Sequence, residues 1–347
     1  MKKIPQKYLQ NTAMISAALF AVLCAIFRTA PLYSAAAQTH IDSRPCVIAG
    51  GTPFGIKIRS EGVMVVSVAD NSPAQKAGMK AGDIISIVNG ETVNSNAQLA
   101  AAIQMQSETT VLLCRNDAEM LLTITPVSEN GFLKIGAFVR DSAAGIGTLT
   151  FCDPKTHAFA GLGHAVSDIT TGNPVPLGSG EITRAEICDV IKGKEGSAGE
   201  LCGIITPNSD IGSITANTPV GLFGGMTAEY KGSGEYLPIA FRSEVHAGKA
   251  EIITTADSGA PKHYSIEIER LNLFDPNGSK ALVIRITDKE LLSQTGGIVR
   301  GMSGSPIIQD GRLAGAVTHV FVNDPTRGYA VFAETMLSQC GEYITDG

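Results

Sequence analysis

Gly301-Met302-Ser303-Gly304-Ser305-Pro306 sets a serine between glycines in a tight bend. There the hydroxyl stands clear, and the main-chain N–H groups of Gly301 and Ser303 have room to converge on one point, the geometry of a nucleophile beside an oxyanion hole. Glycine suits positions 301 and 304 because a side chain would obstruct a substrate carbonyl and because such bends often require positive φ. An ordinary Gly/Ser/Pro turn between strands has the same local sequence. The rest of the chain must therefore supply the partners.

The segment that leads to the bend is rich in glycine and in short β-type runs, at 134–140, 147–153, 181–191, 201–206, 212–216, 251–255, 262–270 and 281–286. Strands separated by turns over some two hundred residues argue for a barrel or a pair of barrels rather than a parallel α/β sheet. Composition agrees: 44% apolar, 17% charged, 38 glycines and no Trp in 347 residues describe a turn-rich, mainly β protein long enough for two domains. The net charge of −6 has no basic block to offset it, which leaves a nucleic-acid surface without electrostatic support. Seven scattered cysteines include no Cys-x-x-Cys pair and no His at zinc-finger spacing, so a structural metal is not expected, and a serine nucleophile with a histidine base needs neither a metal nor an organic cofactor. Disulfides remain possible, with no pairing legible.

A serine of this kind needs a base. His164 lies in Gly161-Leu162-Gly163-His164-Ala165, where small neighbours leave space for a substrate and a nucleophile. His319, in the apolar run Val317-Thr318-His319-Val320-Phe321, reads as wall or substrate contact. The base in turn needs a carboxylate to fix its tautomer. Asp168, four residues from His164, has a local turn role as its alternative; Asp210 and Asp288 both keep the order His, Asp, Ser. Spacing does not choose among them.

The first folded unit spans 44–127. Within it, Ser72-Pro73-Ala74-Gln75-Lys76-Ala77-Gly78 gives a capped short helix with proline at its first position and glycine at its end. A strand follows, running to a turn at Asn89-Gly90, then a helix over 96–106 with Leu99, Ala102 and Ile103 on one face, then two strands. This order, with the run Ala77-Gly78-Met79-Lys80-Ala81-Gly82-Asp83-Ile84-Ile85, resembles the PDZ domains attached to bacterial proteases. The resemblance implies that Phe54, Gly55 and Ile56 form a carboxylate-binding loop for a C-terminal peptide, beside an edge strand open to β-augmentation.

Lys2, Lys3 and Lys7 precede an apolar run from Ala13 to Phe27, and Ala35-Ala36-Ala37 could serve as a small-residue cleavage site. Segment 1–37 thus reads as a signal peptide or N-terminal membrane anchor helix, with everything after it outside the cytoplasm.

Gly161-Leu162-Gly163-His164-Ala165, Ile286-Thr287-Asp288, Thr295 through Ile308 and Gly315 through Pro325 together resemble the SpoIVB family of sporulation serine peptidases. The likeness covers nearly the full chain, with membrane signal, PDZ domain and a trypsin-like β-barrel peptidase domain over 132–347. It implies Ser303, His164 and Asp288 as the catalytic set. It also implies export to the space between forespore and mother-cell membranes, self-trimming, and cleavage of a regulatory protein in a membrane-embedded protease complex, so that a sigma factor is released. The contrasting expectation from the residues is a catalytically silent, PDZ-bearing adaptor that binds peptide.

Overall fold

A computed structural model describes residues 44–105, 107–228, 234–275 and 278–340. The expected signal or anchor segment, 1–37, lies outside the described residues. Among those described, no helix is long and apolar enough to cross a membrane.

The first part of the chain contributes the strands Cys46–Ala49 (β1), Pro53–Val68 (β2), Ile84–Val88 (β3), Glu91–Thr92 (β4), Thr109–Arg115 (β5), Ala118–Ile124 (β6), Val127–Glu129 (β7) and Phe132–Lys134 (β8). Then come Ala137–Cys152 (β9), Ala158–Gly161 (β10), Leu177–Ile191 (β11), Glu200–Thr218 (β12), Gly221–Met226 (β13) and Tyr236–Pro238 (β14). The last part holds Gly248–Thr254 (β15), Lys262–Leu271 (β16), Leu282–Ile286 (β17), Pro306–Gln309 (β18), Arg312–Val320 (β19) and Arg327–Phe332 (β20).

Two antiparallel barrels result. In the first, β2 pairs with β9, β9 with β10, β10 with β13, β13 with β12, β12 with β11, and β11 returns to β2. Closure leaves no open edge around the ring, the usual answer of an all-β protein to unpaired strands. The second closes in the order β15-β16-β17-β20-β19-β18. Alternation along the strands fills both interiors: Phe54, Ile56, Ile58, Phe159 and Ile182 in the first, Ile252, Ile266, Ile284 and Val317 in the second.

The PDZ-like part grows out of the first barrel. β2 and β9 are long, bent strands, each giving one half to the barrel and the other to a small sheet with β3, β5 and β6. The helix Pro73–Lys76 starts at Ser72, whose hydroxyl accepts from Gln75 N–H, and the helix Asn96–Ile103 buries Leu99, Ala102 and Ile103. Asn89 and Gly90 turn with φ of 52° and 86°, the double positive pair of a tight hairpin. These agree with the local signals. Buried Asp83 anchors the sheet end by pairing with Arg115 at 2.6 Å and by accepting from Lys80 N–H.

One expectation is corrected. Phe54, Gly55 and Ile56 do not form a ligand loop: they are interior positions of β2, hydrogen-bonded to Arg184–Ile182 on one side and to Gly147–Gly145 on the other. Both edges are occupied. Phe54 is 2% exposed and meets Phe159 edge-on at 6.3 Å. The PDZ part therefore begins within β2, near Glu61, and ends within β9, instead of covering 44–127. Phe54→Ala should cost about 3–5 kcal/mol of stability, read from the midpoint of urea unfolding; a loss of peptide binding at unchanged stability would restore the loop reading.

Candidate active site

The bend at 301–304 projects from the second barrel and is held by the first. Gly301 and Gly304 both have φ of +95°, and a Cβ on Gly304 would collide with the Thr148 carbonyl oxygen. Thr148, in β9, donates its hydroxyl to Gly301 O at 2.7 Å and its N–H to Ser303 O at 3.0 Å. Leu201, in β12, donates its N–H to Arg300 O at 2.8 Å. Met302 O accepts from Ser305 N–H at 3.0 Å.

These bonds aim the peptide planes. In a trans peptide the N–H points opposite to the C=O. Fixing Arg300 O on Leu201 turns the Gly301 N–H the other way, and fixing Met302 O does the same for the Ser303 N–H. Neither N–H has an acceptor among the described residues. Two unpaired, part-buried donors next to a serine hydroxyl are costly unless an incoming oxygen uses them. Both N–H groups are therefore unpaired and aimed without a ligand present.

His164 is brought to the same corner. The adjacent Gly163 packs against the Thr318 side chain, while the Ser303 hydroxyl donates to Thr318 O at 2.8 Å. The His164 ring lies 4.9 Å from that of His319, centroid to centroid. His164 Nδ1 faces Ala165 O at 2.8 Å. A carbonyl only accepts, so the neutral ring carries its proton on Nδ1 and keeps Nε2 free as an acceptor. Burial lowers the His164 pKa, with the Ala165 carbonyl opposing. His319 is pushed down to about 4, first by burial, then by His164 and Lys280, with Asp275 acting the other way. His319 is thus held neutral beside His164. The serine hydroxyl rests on Thr318 O in this structure.

None of the sequence candidates for the carboxylate reaches His164. Asp288 caps the helix Lys289–Thr295, accepting from Leu291 N–H at 3.1 Å and from Ser265 N–H at 3.4 Å. This corrects its expected place behind the base. The physical reason is local: an aspartate at the start of a helix satisfies otherwise orphaned N–H groups. Asp210 sits beside Lys57 at 3.9 Å, half-exposed. Asp168 is buried under Arg140; burial resists its ionisation, but the Thr171 and Thr170 N–H groups, Arg140 and the Thr171 hydroxyl outweigh that and lower its pKa. Sequence reasoning missed Thr148 and Leu201, which act from strands of the opposite barrel and carry no motif.

A second concavity lies in the PDZ part. A cavity of about 720 Å³ runs between the helix Asn96–Ile103, through Leu99 and Ile103, and the segment Ile135–Val139. In that segment β9 pairs with β2 along one edge, and no described strand pairs with the other. The N–H groups of Ile135 and Gly136 have no acceptor among the described residues. Gly136 has φ of +77°.

The family model for the SpoIVB peptidase S55 matches residues 131–337, more than half of the chain. The chain belongs to the SpoIVB peptidase S55 family, and with it to the serine peptidases. A PDZ domain model matches 64–116, within the limits that the fold gives this part. Serine protease HTRA1 of Xenopus laevis is 31% identical over 67 residues, 19% of this chain and 15% of that protein. A probable periplasmic serine endoprotease DegP-like of Brucella suis is 51% identical over 43 residues, 12% of this chain and 8% of that protein. The chain thus spans less than a sixth of either relative's length. Among solved structures, the active form of the Rv3671c protease of M. tuberculosis gives a TM-score of 0.33 at 14% identity, over 57% of this chain and 75% of that one. The HtrA-type protease AlgW gives 0.33 at 10%, over 72% and 68%.

Two outcomes follow for this S55 site. Because burial holds the base neutral to lower pH than an ordinary histidine, the rate of Ser303 labelling by a fluorophosphonate should keep its plateau below pH 6.5; an acid limb centred at or above that value would contradict the assignment. Asparagine caps helices about as well as aspartate, so Asp288→Asn should leave labelling within a few-fold. A fall of several orders of magnitude at unchanged stability would return Asp288 to the catalytic set.

Proposed function

We propose that the chain is a serine endopeptidase in which Ser303 attacks the scissile carbonyl, His164 takes and returns the proton, and the N–H groups of Gly301 and Ser303 hold the oxyanion. The observation that carries this reading is the pair of unpaired N–H groups beside the Ser303 hydroxyl, that of Gly301 aimed by Leu201 on Arg300 O and that of Ser303 by the Ser305 N–H on Met302 O. In the acylation step the Ser303 oxygen bonds to the carbonyl carbon, its proton passes to His164 Nε2, and His164 then protonates the leaving amine. The acyl-enzyme is released by water through the same base. The substrate is protein.

The PDZ groove supports a second contact. An extended C-terminal peptide adds to the free edge of β9 at Ala137–Val139, its carboxylate meets the N–H groups of Ile135 and Gly136, and its last side chain enters between Leu99 and Ile103. The ligand-loop role expected for Phe54-Gly55-Ile56 passes to Ile135-Gly136-Ala137.

Membership of the S55 family supports a place in sporulation signalling. In this reading the enzyme is exported from the forespore or anchored in its membrane, trims itself, and cleaves a regulatory membrane-protein partner. That cleavage frees an intramembrane protease and then a sigma factor. The groove holds the enzyme on its own tail or on the partner.

Expressed as the full chain, the wild type should yield self-trimmed products, and Ser303→Ala should lower their rate of appearance by several orders of magnitude. Equal processing by both, with no fluorophosphonate label on the wild type, would favour the non-catalytic adaptor. Ile103→Lys should weaken binding of a hydrophobic C-terminal peptide at least tenfold while leaving the label on Ser303 unchanged; unchanged binding would remove the groove from the account.

A further inference from the structure

The hairpin of β11 and β12 reaches from the first barrel to the serine bend. Its end lies against the second barrel: Gly193 N–H donates to Thr295 O, Gly196 N–H to Val322 O, and the Lys192 ammonium to Ser293 O. Its returning strand carries Leu201, whose N–H fixes Arg300 O, while Arg300 N–H donates back to Gly199 O at 3.3 Å. The aim of the Gly301 N–H therefore depends on how firmly this arm is held.

Two cysteines lie near each other on the two strands of the arm, Cys202 one residue from Leu201 and Cys188 opposite it across a register shift. In the ladder Ile187 pairs with Gly203 and Asp189 with Cys202, with a register shift between them. The shift is a bulge, in which Cys188 and Asp189 together oppose Cys202 on one face of the sheet. Cys188 Sγ lies 3.2 Å from Cys202 O. Cys188 is exposed and Cys202 part-buried, both as free thiols, whereas Cys152 and Cys340 are buried. Neighbouring strands hold opposed Cα atoms about 4.5–5.5 Å apart, within the range a disulfide spans.

We propose that Cys188 and Cys202 are a disulfide-forming pair whose closure stiffens the arm that holds the oxyanion peptide. The oxidant is a low-molecular-weight disulfide. The exposed Cys188 thiolate attacks one of its sulfurs and expels a first thiolate, leaving a mixed disulfide. Cys202 then loses its proton, attacks the Cys188 sulfur and expels a second thiolate. Two protein thiols become one disulfide, the oxidant becomes two thiols, and the two protons end on those thiols. Cys202 is the slower partner, since desolvation, then Asp189, Glu200 and Cys188, all raise its pKa.

The test equilibrates the full chain in reduced and oxidised glutathione, then alkylates and maps it by mass spectrometry. The oxidised sample should contain the Cys188 peptide joined to the Cys202 peptide, short of two hydrogens, and Cys188→Ser should abolish the link. No link, or a link from either cysteine to a different one, overturns the pair. The coupling to the hole rests on the peptidase reading and is measured separately, as the rate of fluorophosphonate labelling. That rate should be several-fold higher oxidised than reduced, with Cys188→Ser fixed at the reduced rate in both buffers; equal rates in the wild type overturn the coupling. Absence of label in either buffer counts against Ser303 as nucleophile, and the mapped link alone then decides the thiol pair.

Discussion

The grip of the first barrel on the serine bend governs the site. Thr148 holds the carbonyls of Gly301 and Ser303, and Leu201 holds that of Arg300. Leu201 thereby aims the Gly301 N–H, the Ser305 N–H on Met302 O aims that of Ser303, and Thr148 holds the peptides that follow each of them, so a glycine-flanked loop is not free to flip. The bonds from Thr148 and Leu201 exist only because two closed barrels meet here. Each barrel supplies what the other cannot: the second gives Ser303, while the first gives His164 and the restraints. This division explains why so much of the chain is committed to strands, since an error of an ångström in these planes would cost much of the stabilisation.

The base is set up differently from what the order of residues suggests. A carboxylate was expected behind His164, yet the Nδ1 proton goes to a neighbouring backbone carbonyl. The carbonyl fixes the tautomer, as a carboxylate would, but it offers less to the imidazolium. Burial then makes the charged ring less favourable still. The neighbouring His319, held neutral, adds no charge to repel it. In the proposed role such a histidine keeps its accepting form to lower pH than an ordinary one, and its weakness is in stabilising the proton it receives.

Much of this was legible from the residues, for definite reasons. The PDZ part announces itself through short-range signals, the Ser72 cap, Pro73 and the Asn89-Gly90 turn, each of which acts within a few residues. The bend at Ser303 and the glycines before His164 are likewise local. What failed was non-local. Phe54-Gly55-Ile56 has the same alternation whether it forms a loop-and-edge strand or a barrel stave, and only the pairing partners, more than eighty residues away, decide. Asp288 fits a cap and a catalytic role equally well in sequence. Thr148 and Leu201 could not be singled out at all, since a threonine and a leucine in β-type runs are unremarkable until the opposite barrel is placed against them.

All of the proposed chemistry depends on the N–H groups of Gly301 and Ser303 holding one oxygen beside a reactive serine. The most direct measurement is a crystal structure of the full chain after reaction with a fluorophosphonate. Phosphorus should be bonded to Ser303 Oγ, with one phosphonyl oxygen about 2.7–3.1 Å from both nitrogens and Arg300 O still on Leu201. A phosphonyl oxygen turned to solvent, with either peptide flipped, would contradict it.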